Sequence, residues 1–254
     1  MRAAPLRALA GGALMARFFG DRPPGVMALH GWGRESADFI EVLDGMAAVA
    51  PDLPGFGSSP PPDRVWGADD YALQIIGAID EMRPPMLVLG HSFGGRVAVC
   101  LAARRPDLVT GLILTGAPLL GGVRRSRPRR AYRLIRWGHR RGLVSDERME
   151  MLRRRHGSSD YRTARGVMRD VLVKVVNESY ESQLDALSLP VHLVWGAQDA
   201  EVPVERARQA YGRLRESGCE VWLREVDGVG HDLPLSRPDV LREAILLMQE
   251  ATGP

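Results

Sequence analysis

The sequence is 254 residues long, 45% hydrophobic and 26% charged, which suits one large domain, or one core with an inserted subdomain, and a sizeable buried interior. Its two cysteines, Cys100 and Cys219, lie far apart, with neither metal-type spacing nor the framework of a small secreted fold. No apolar run approaches the ~20 residues of a membrane span, so a spanning helix is not expected.

Reduced thiols in the cytoplasm are expected, and residues 1–19, with Arg7 and Arg17 among short apolar pieces, make a poor signal peptide. Of the 34 basic residues only Lys174 is lysine, a bias that reflects GC-rich coding more than arginine chemistry at each site. The net charge of +3 hides an asymmetry. Residues 124–170 carry 16 Arg against 5 acids, or +11, while the remainder has 18 basic and 26 acidic residues, or −8.

In chain order, Val26-Met27-Ala28-Leu29-His30 reads as an inner strand ending at Gly31-Trp32-Gly33, where glycines allow a sharp turn. Residues 36–46 alternate apolar and charged side chains at helical spacing. Residues 46–50 then lead as a strand into the loop Pro51-Asp52-Leu53-Pro54-Gly55-Phe56-Gly57-Ser58-Ser59. Asp69 and Asp70 suit a helix N-terminus, with Ala72, Ile75, Ile76, Ile79 and Met82 on one face and Pro84-Pro85 as the stop. A strand over 86–90 and a nearly all-apolar helix over 96–104, ended by Pro106, enclose Gly90-His91-Ser92-Phe93-Gly94-Gly95. A strand over 111–116 follows, and strands alternating with helices imply a parallel sheet with right-handed crossovers.

That alternation breaks over 119–189, where charges dominate. Val167, Met168, Val171, Leu172, Val175 and Val176 mark one apolar helix face and Ala131, Leu134 and Ile135 a weaker one, so a helical insertion is predicted. Beyond it lie a strand over 191–195, a helix over 204–216, a strand over 220–226 and a last helix over 237–250. The expected division is a core in two parts, 1–118 and 190–254, around the inserted 119–189.

Gly90-His91-Ser92-Phe93-Gly94 follows a strand and precedes a helix, the setting of a nucleophile elbow, whose turn is so tight that small residues must flank the serine. Serine is a poor nucleophile at neutral pH unless a base takes its proton, and a buried acceptor must hold that base in one tautomer. Acid and base should leave later strands in the order Ser, acid, His. Asp199, four residues beyond Trp195, and His231, in the glycine-flanked loop after the final strand, meet that order, with Glu201 as the rival acid. An ordinary Gly/Ser turn, a helix-capping Asp199 and a loop His231 are alternatives that stand singly but not together.

His30-Gly31-Trp32-Gly33, Asp52-Leu53-Pro54-Gly55-Phe56-Gly57-Ser58-Ser59, the Ser92 elbow, Trp195-Gly196-Ala197-Gln198-Asp199 and Gly230-His231 occur in one order, and in this the chain resembles the α/β-hydrolase fold family over 26–250. The resemblance implies an α/β fold with a mostly parallel β-sheet flanked by helices on both faces, and 119–189 as a helical lid over the active site. It implies Ser92 as nucleophile, His231 as general base and later acid, and Asp199, at the family's acid position, ranked above Glu201 as the orienting carboxylate. An oxyanion hole would come from the backbone amides of Phe93, the residue after the nucleophile, and, by similarity to the family, Trp32, whose loop His30 would brace. His91 is read as filler within the elbow, His192 as a core histidine, and His139 and His156 as solvated.

The expected function is a serine hydrolase that cleaves a carboxylic ester or related acyl bond through an acyl-enzyme, without metal or organic cofactor. Carbon-carbon bond hydrolase, thioesterase and perhydrolase activity on the same residues are alternatives, as is a non-catalytic binding scaffold. Ser92 argues against the dehalogenase and epoxide-hydrolase branches, which the family usually runs with an aspartate at the elbow. The run Arg124-Arg125-Ser126-Arg127-Pro128-Arg129-Arg130 reads first as solvated charge. Its sharper reading is attraction of a small acyl substrate that is anionic or linked to an acidic carrier such as acyl carrier protein. Neither nucleic acid nor membrane is expected as a partner, since aromatic interleaving and nucleic-acid motifs are lacking.

Overall fold

The structure, a computed structural model, describes residues 4–82, 85–121, 141, 145 and 159–252. Among these residues the strands are β1 (Leu6–Leu9), β2 (Leu14–Phe19), β3 (Val26–Leu29), β4 (Ala48–Asp52), β5 (Met86–His91), β6 (Val109–Thr115), β7 (Val191–Gly196) and β8 (Val221–Val226). They form one sheet in the order β1-β2-β4-β3-β5-β6-β7-β8. β3 to β8 run parallel to one another, while β2 is antiparallel to both β1 and β4. The helices are α1 (Ile40–Leu43), α2 (Ala68–Asp80), α3 (Phe93–Arg104), α4 (Ser159–Thr163), α5 (Val167–Val175), α6 (Glu181–Asp185), α7 (Val204–Glu216), α8 (Leu233–Ser236) and α9 (Pro238–Thr252).

Every residue of β3, β5 and β7 is buried, as expected of parallel strands covered on both faces. Because successive side chains of a strand point to opposite faces, each strand divides between two cores. Met27, Leu29, Met86 and Val88 pack with residues of α2, α3 and α7. Val26, Ala28, Leu87 and Leu89 pack with residues of α1 and α9. Burying one such large side chain stabilises the fold by roughly 1.5–3 kcal/mol, so this double layer is the main support of everything at the strand ends.

From β3 the chain first goes outward to β4 and then returns across β3 to β5, so the order reverses between β3 and β5. In open α/β sheets ligands bind at such a switch point, outside the carboxyl ends of the strands. The two strands that flank it end side by side, with Leu29 opposite Gly90. The loops that begin at His30 and at Ser92 are therefore neighbours in space.

Two expectations need correction, and one pair of strands was not foreseen. The unforeseen pair is the β1–β2 hairpin, turned around Gly11 and Gly12, both at positive φ. The helix expected over 36–46 is a 3-10 turn over Ser36–Phe39 followed by the single turn of α1, because Asp44 leaves the helical region and Gly45 sits at φ 77. The strand expected over 46–50 is β4, which runs on through Pro51 to Asp52 and pairs with β2 along that length.

Within 119–189 the described residues form α4, α5 and α6 and no strand. On α5, Val171, Leu172 and Val175 are buried, while Val167, Met168 and Val176 are partly buried against the larger core. Ala131, Leu134 and Ile135, the Arg124–Arg130 run, His139 and His156 lie outside the described residues. Glu178 accepts hydrogen bonds from the Ala68 amide (3.1 Å) and the Tyr180 hydroxyl (2.9 Å), and the Arg96 guanidinium donates to the Val175 carbonyl. These contacts fasten the end of the segment to α2 and α3.

Candidate active site

Ser92 stands between β5 and α3 at φ 51 and ψ −111, a region that side-chain-bearing residues rarely occupy. The turn is that sharp because α3 doubles back close to the strand. A Cβ on Gly90 would come within 2.5 Å of the Gly95 Cα, and one on Gly94 would run into the Leu29 carbonyl oxygen. Two hydrogen bonds hold the turn: the Ser92 amide donates to the Thr115 carbonyl (2.8 Å) and the Gly94 amide to the His30 carbonyl (3.0 Å). The elbow is thus bonded to the strands on either side of β5.

β7 and β8 deliver the other two groups. Gly196 and Val226 close their register, and the loops beyond them are pinned together: the Gln198 amide donates to the Val229 carbonyl (2.9 Å) and the Val229 amide to the Gln198 side-chain oxygen (3.0 Å). The Trp195 indole donates to the Val202 carbonyl (2.8 Å), which shapes the first of those loops. Asp199 and His231 leave this cross-braced pair and meet. His231 Nδ1 donates to Asp199 Oδ2 at 2.8 Å, and the Ser92 hydroxyl donates to His231 Nε2 at 3.0 Å. The Asp199 side chain is 1% exposed and its other oxygen accepts from the amides of Glu201 (2.9 Å) and Val202 (2.8 Å).

Burial alone would lower the pKa of His231, but the hydrogen bond to Asp199 and the charges of Asp199, Glu201 and Asp232 outweigh it and hold the imidazole above its ordinary value. The other two histidines at these strand ends behave oppositely. Burial lowers the pKa of His30, against the raising effect of its bond to Gly31. In its neutral form Nδ1 donates to the Gly31 carbonyl (2.7 Å) and Nε2 accepts from the Leu53 amide (2.9 Å), which ties the β3 loop to the β4 loop. Burial and then the nearby His231 pull His91 down to about 3. The elbow pattern treats His91 as filler, but its buried ring lies 5.0 Å from that of His231. The pattern Gly-x-Ser-x-Gly admits any residue there and carries no signal of that contact. His192 is a buried core histidine within β7.

Trp32 and Phe93, the two residues named for oxyanion donors, lie beside the serine. A Cβ on Gly31 would sit 3.3 Å from Ser92 Cβ, and the Trp32 and Phe93 rings are 5.5 Å apart. Phe93 heads α3, so its amide has no acceptor inside the helix. Among the described residues the Trp32 amide has none either. Asp52 keeps this corner rigid, with one carboxylate oxygen accepting from the Ser36 amide (2.7 Å) and the other from the Ser58 amide (2.8 Å). Beside Trp32 opens a cleft of about 530 Å³ walled by Phe56, Pro61, Val167 and Met168, with Arg165 at its edge. The apolar spacing of α5 marks a packing face; that Met168 and Arg165 also border a cleft depends on long-range placement.

Glu201, the rival acid, lies elsewhere on the imidazole, with Oε2 3.7 Å from Nε2, and its side chain is 73% exposed. Among the described residues no helix is long and apolar enough to cross a membrane.

The description Alpha/beta hydrolase family belongs to a sequence model that matches residues 26–244. Over 99 residues the chain is 39% identical to the pimeloyl-[acyl-carrier protein] methyl ester esterase of Neisseria meningitidis serogroup B / serotype 15 (strain H44/76), covering 36% of each protein. Over 100 residues it is 38% identical to the biotin biosynthesis bifunctional protein BioHC of Cellvibrio japonicus, covering 37% of this chain and 19% of that one. Both matches therefore span well under two thirds of those relatives. A solved serine hydrolase involved in carbazole degradation, the CarC enzyme, superposes with a TM-score of 0.73 over 98% of this chain and 100% of its own, at 22% identity, a likeness of fold.

Proposed function

The chain belongs to the alpha/beta hydrolase family, and from that premise we propose that it is a serine hydrolase cleaving a carboxylic ester through an acyl-enzyme. The observation that carries the proposal is the unbroken hydrogen-bonded series from Ser92 Oγ through His231 to the buried Asp199, at 3.0 and 2.8 Å. In this reading Ser92 Oγ attacks the acyl carbon as its proton passes to His231 Nε2, and Asp199 stabilises the imidazolium so formed. The Trp32 and Phe93 amides receive the oxyanion, a pair in which each donor is worth roughly 3–4 kcal/mol of transition-state stabilisation. His231 then returns the proton to the departing alkoxide oxygen, leaving an acyl-Ser92. Water attacks that ester with its proton going to Nε2, and collapse releases the acid and restores Ser92. The chemistry needs no metal or organic cofactor.

We assign the acyl group to the cleft beside Trp32, and 119–189 to a helical lid inserted between core parts 1–118 and 190–254, since residues 163–168 form one wall of that cleft. The substrate class we favour is a small acyl ester, anionic or carrier-linked. The support is the excess of 16 Arg over 5 acids in 124–170, together with the likeness to an esterase whose substrate rides on acyl carrier protein. The buried free thiols Cys100 and Cys219 support a cytoplasmic location. An ester panel of short and long acyl chains, each free, anionic and carrier-linked, is the test. Turnover dependent on Ser92, falling with salt for the anionic and carrier-linked members, is the expected result. Salt-independent turnover of all of them counts against the arginine-based reading.

A further inference from the structure

We propose that Glu201 screens substrates by the charge of the leaving group, favouring neutral and cationic ones over anionic ones. The proposal rests on the serine-hydrolase reading and adds to it that the anionic or carrier-linked part of the ester lies on the acyl side, with a neutral or cationic leaving group. Its basis is that two carboxylates flank one imidazole. Asp199 is buried at Nδ1, whereas Glu201 Oε2 lies 3.7 Å from Nε2 and its side chain is open to solvent. The main chain at Glu201 is held beside the triad, because the Glu201 amide is one of the two donors to Asp199 Oδ1. Among the described residues no arginine or lysine pairs with the Glu201 carboxylate.

Nε2 is the atom that takes the proton from Ser92 and gives it to the departing oxygen. While the imidazole is neutral, Nε2 presents a lone pair and gains nothing from a carboxylate. Once protonated, it is attracted to Glu201, so the contact acts in the state formed during attack. The departing oxygen must come within hydrogen-bond reach of Nε2, about 3 Å, and hence within roughly 7 Å of Glu201 Oε2, inside one Debye length at physiological ionic strength. A negative charge at that range would be disfavoured about 3-fold in a water-like dielectric, and more where the site is closed from water. Among the described residues the other groups facing His231 do not cancel this. Asp199 and Asp232 are acidic, His91 is a buried neutral ring 5.0 Å away, and Arg34 is engaged by Asp38.

The test compares wild type with Glu201→Gln on three acetyl esters at low ionic strength: phenyl acetate, acetoxyacetate, whose anionic leaving group carries its carboxylate next to the departing oxygen, and acetylcholine with a cationic one. The leaving-group charge lies about 3 Å beyond the departing oxygen, so the kcat/KM ratio of anionic to neutral ester should rise about 2-fold or more in the variant, and that of cationic to neutral should fall. Proton NMR of His231 across pH gives an independent reading, with the titration midpoint moving down in Glu201→Gln. Unchanged ratios, or an unmoved midpoint, would overturn the proposal. Failure of the hydrolase reading has a separate signature, namely no ester turned over by wild type and no fluorophosphonate adduct. In that event the midpoint alone decides whether Glu201 acts on His231.

Discussion

Asp199→Asn replaces one carboxylate oxygen by an NH2 group, and the surrounding hydrogen bonds decide which oxygen is replaced. Oδ1 accepts from the Glu201 and Val202 amides at 2.9 and 2.8 Å, so the new carbonyl oxygen must stay there and the NH2 must face His231 Nδ1. A donor at that point forces Nδ1 to accept and moves the imidazole proton to Nε2. Nε2–H then faces Ser92 Oγ, 3.0 Å away, and cannot take the serine proton. The same wrong-tautomer change in a serine protease costs about ten-thousand-fold in kcat, which corresponds to about 5.5 kcal/mol. The side chain is isosteric and every surrounding partner is still met, so the fold should hold. Steady-state hydrolysis of p-nitrophenyl acetate, with a melting curve run in parallel, is the assay. A loss smaller than about tenfold at unchanged Tm would refute the role given to Asp199.

Three further outcomes are expected. Only neutral His231 can act as base and its pKa is raised above 6.5, so kcat/KM should climb through a midpoint above that value as pH rises; a midpoint below 6.5 would contradict the geometry. The stability contributed by the Asp199–His231 contact has the opposite sense, being complete below the unfolded-state pKa and lost as pH rises through the folded one, which a Tm series across the same window checks. Ser92→Gly should abolish turnover while raising stability by about 1 kcal/mol, because glycine relieves the φ 51, ψ −111 backbone; calorimetry showing no gain would contradict the strain. Gly94→Ala drives a Cβ into the Leu29 carbonyl oxygen, so soluble, wild-type-like protein in a thermal melt would contradict the close approach of α3 to β3.

Much of this architecture was legible in the residues. Buried parallel strands are near-continuous apolar runs, so Met86–His91 and Val191–Gly196 stand out, and the glycines around Ser92 mark a turn that few other residues permit. The order of Ser92, Asp199 and His231 follows from which strand ends carry them. The choice between Asp199 and Glu201 is different, since it depends on which ring nitrogen each carboxylate approaches, and that is a matter of ångströms. The β1–β2 hairpin escaped because its six-residue second strand, Leu14–Phe19, alternates only partly and includes the charged Arg17, which is half-buried and donates to the Ala4 carbonyl. Gly11-Gly12 between two strand-length runs was the available signal. The helix expected over 36–46 failed for a local reason, as Asp44-Gly45 favours a turn over one more helical residue. The contact of His91 with His231 was invisible because His91 ends β5 while His231 lies in the loop after β8, and they meet only when that loop converges on β5.

The central claim is that Ser92 is an activated nucleophile. A fluorophosphonate probe, followed by intact mass and peptide mapping, tests it most directly. The account expects one adduct per chain, located on Ser92, absent from Ser92→Ala and strongly slowed in Asp199→Asn. A folded wild-type protein that takes up no probe, or an adduct that persists in Ser92→Ala, would contradict it.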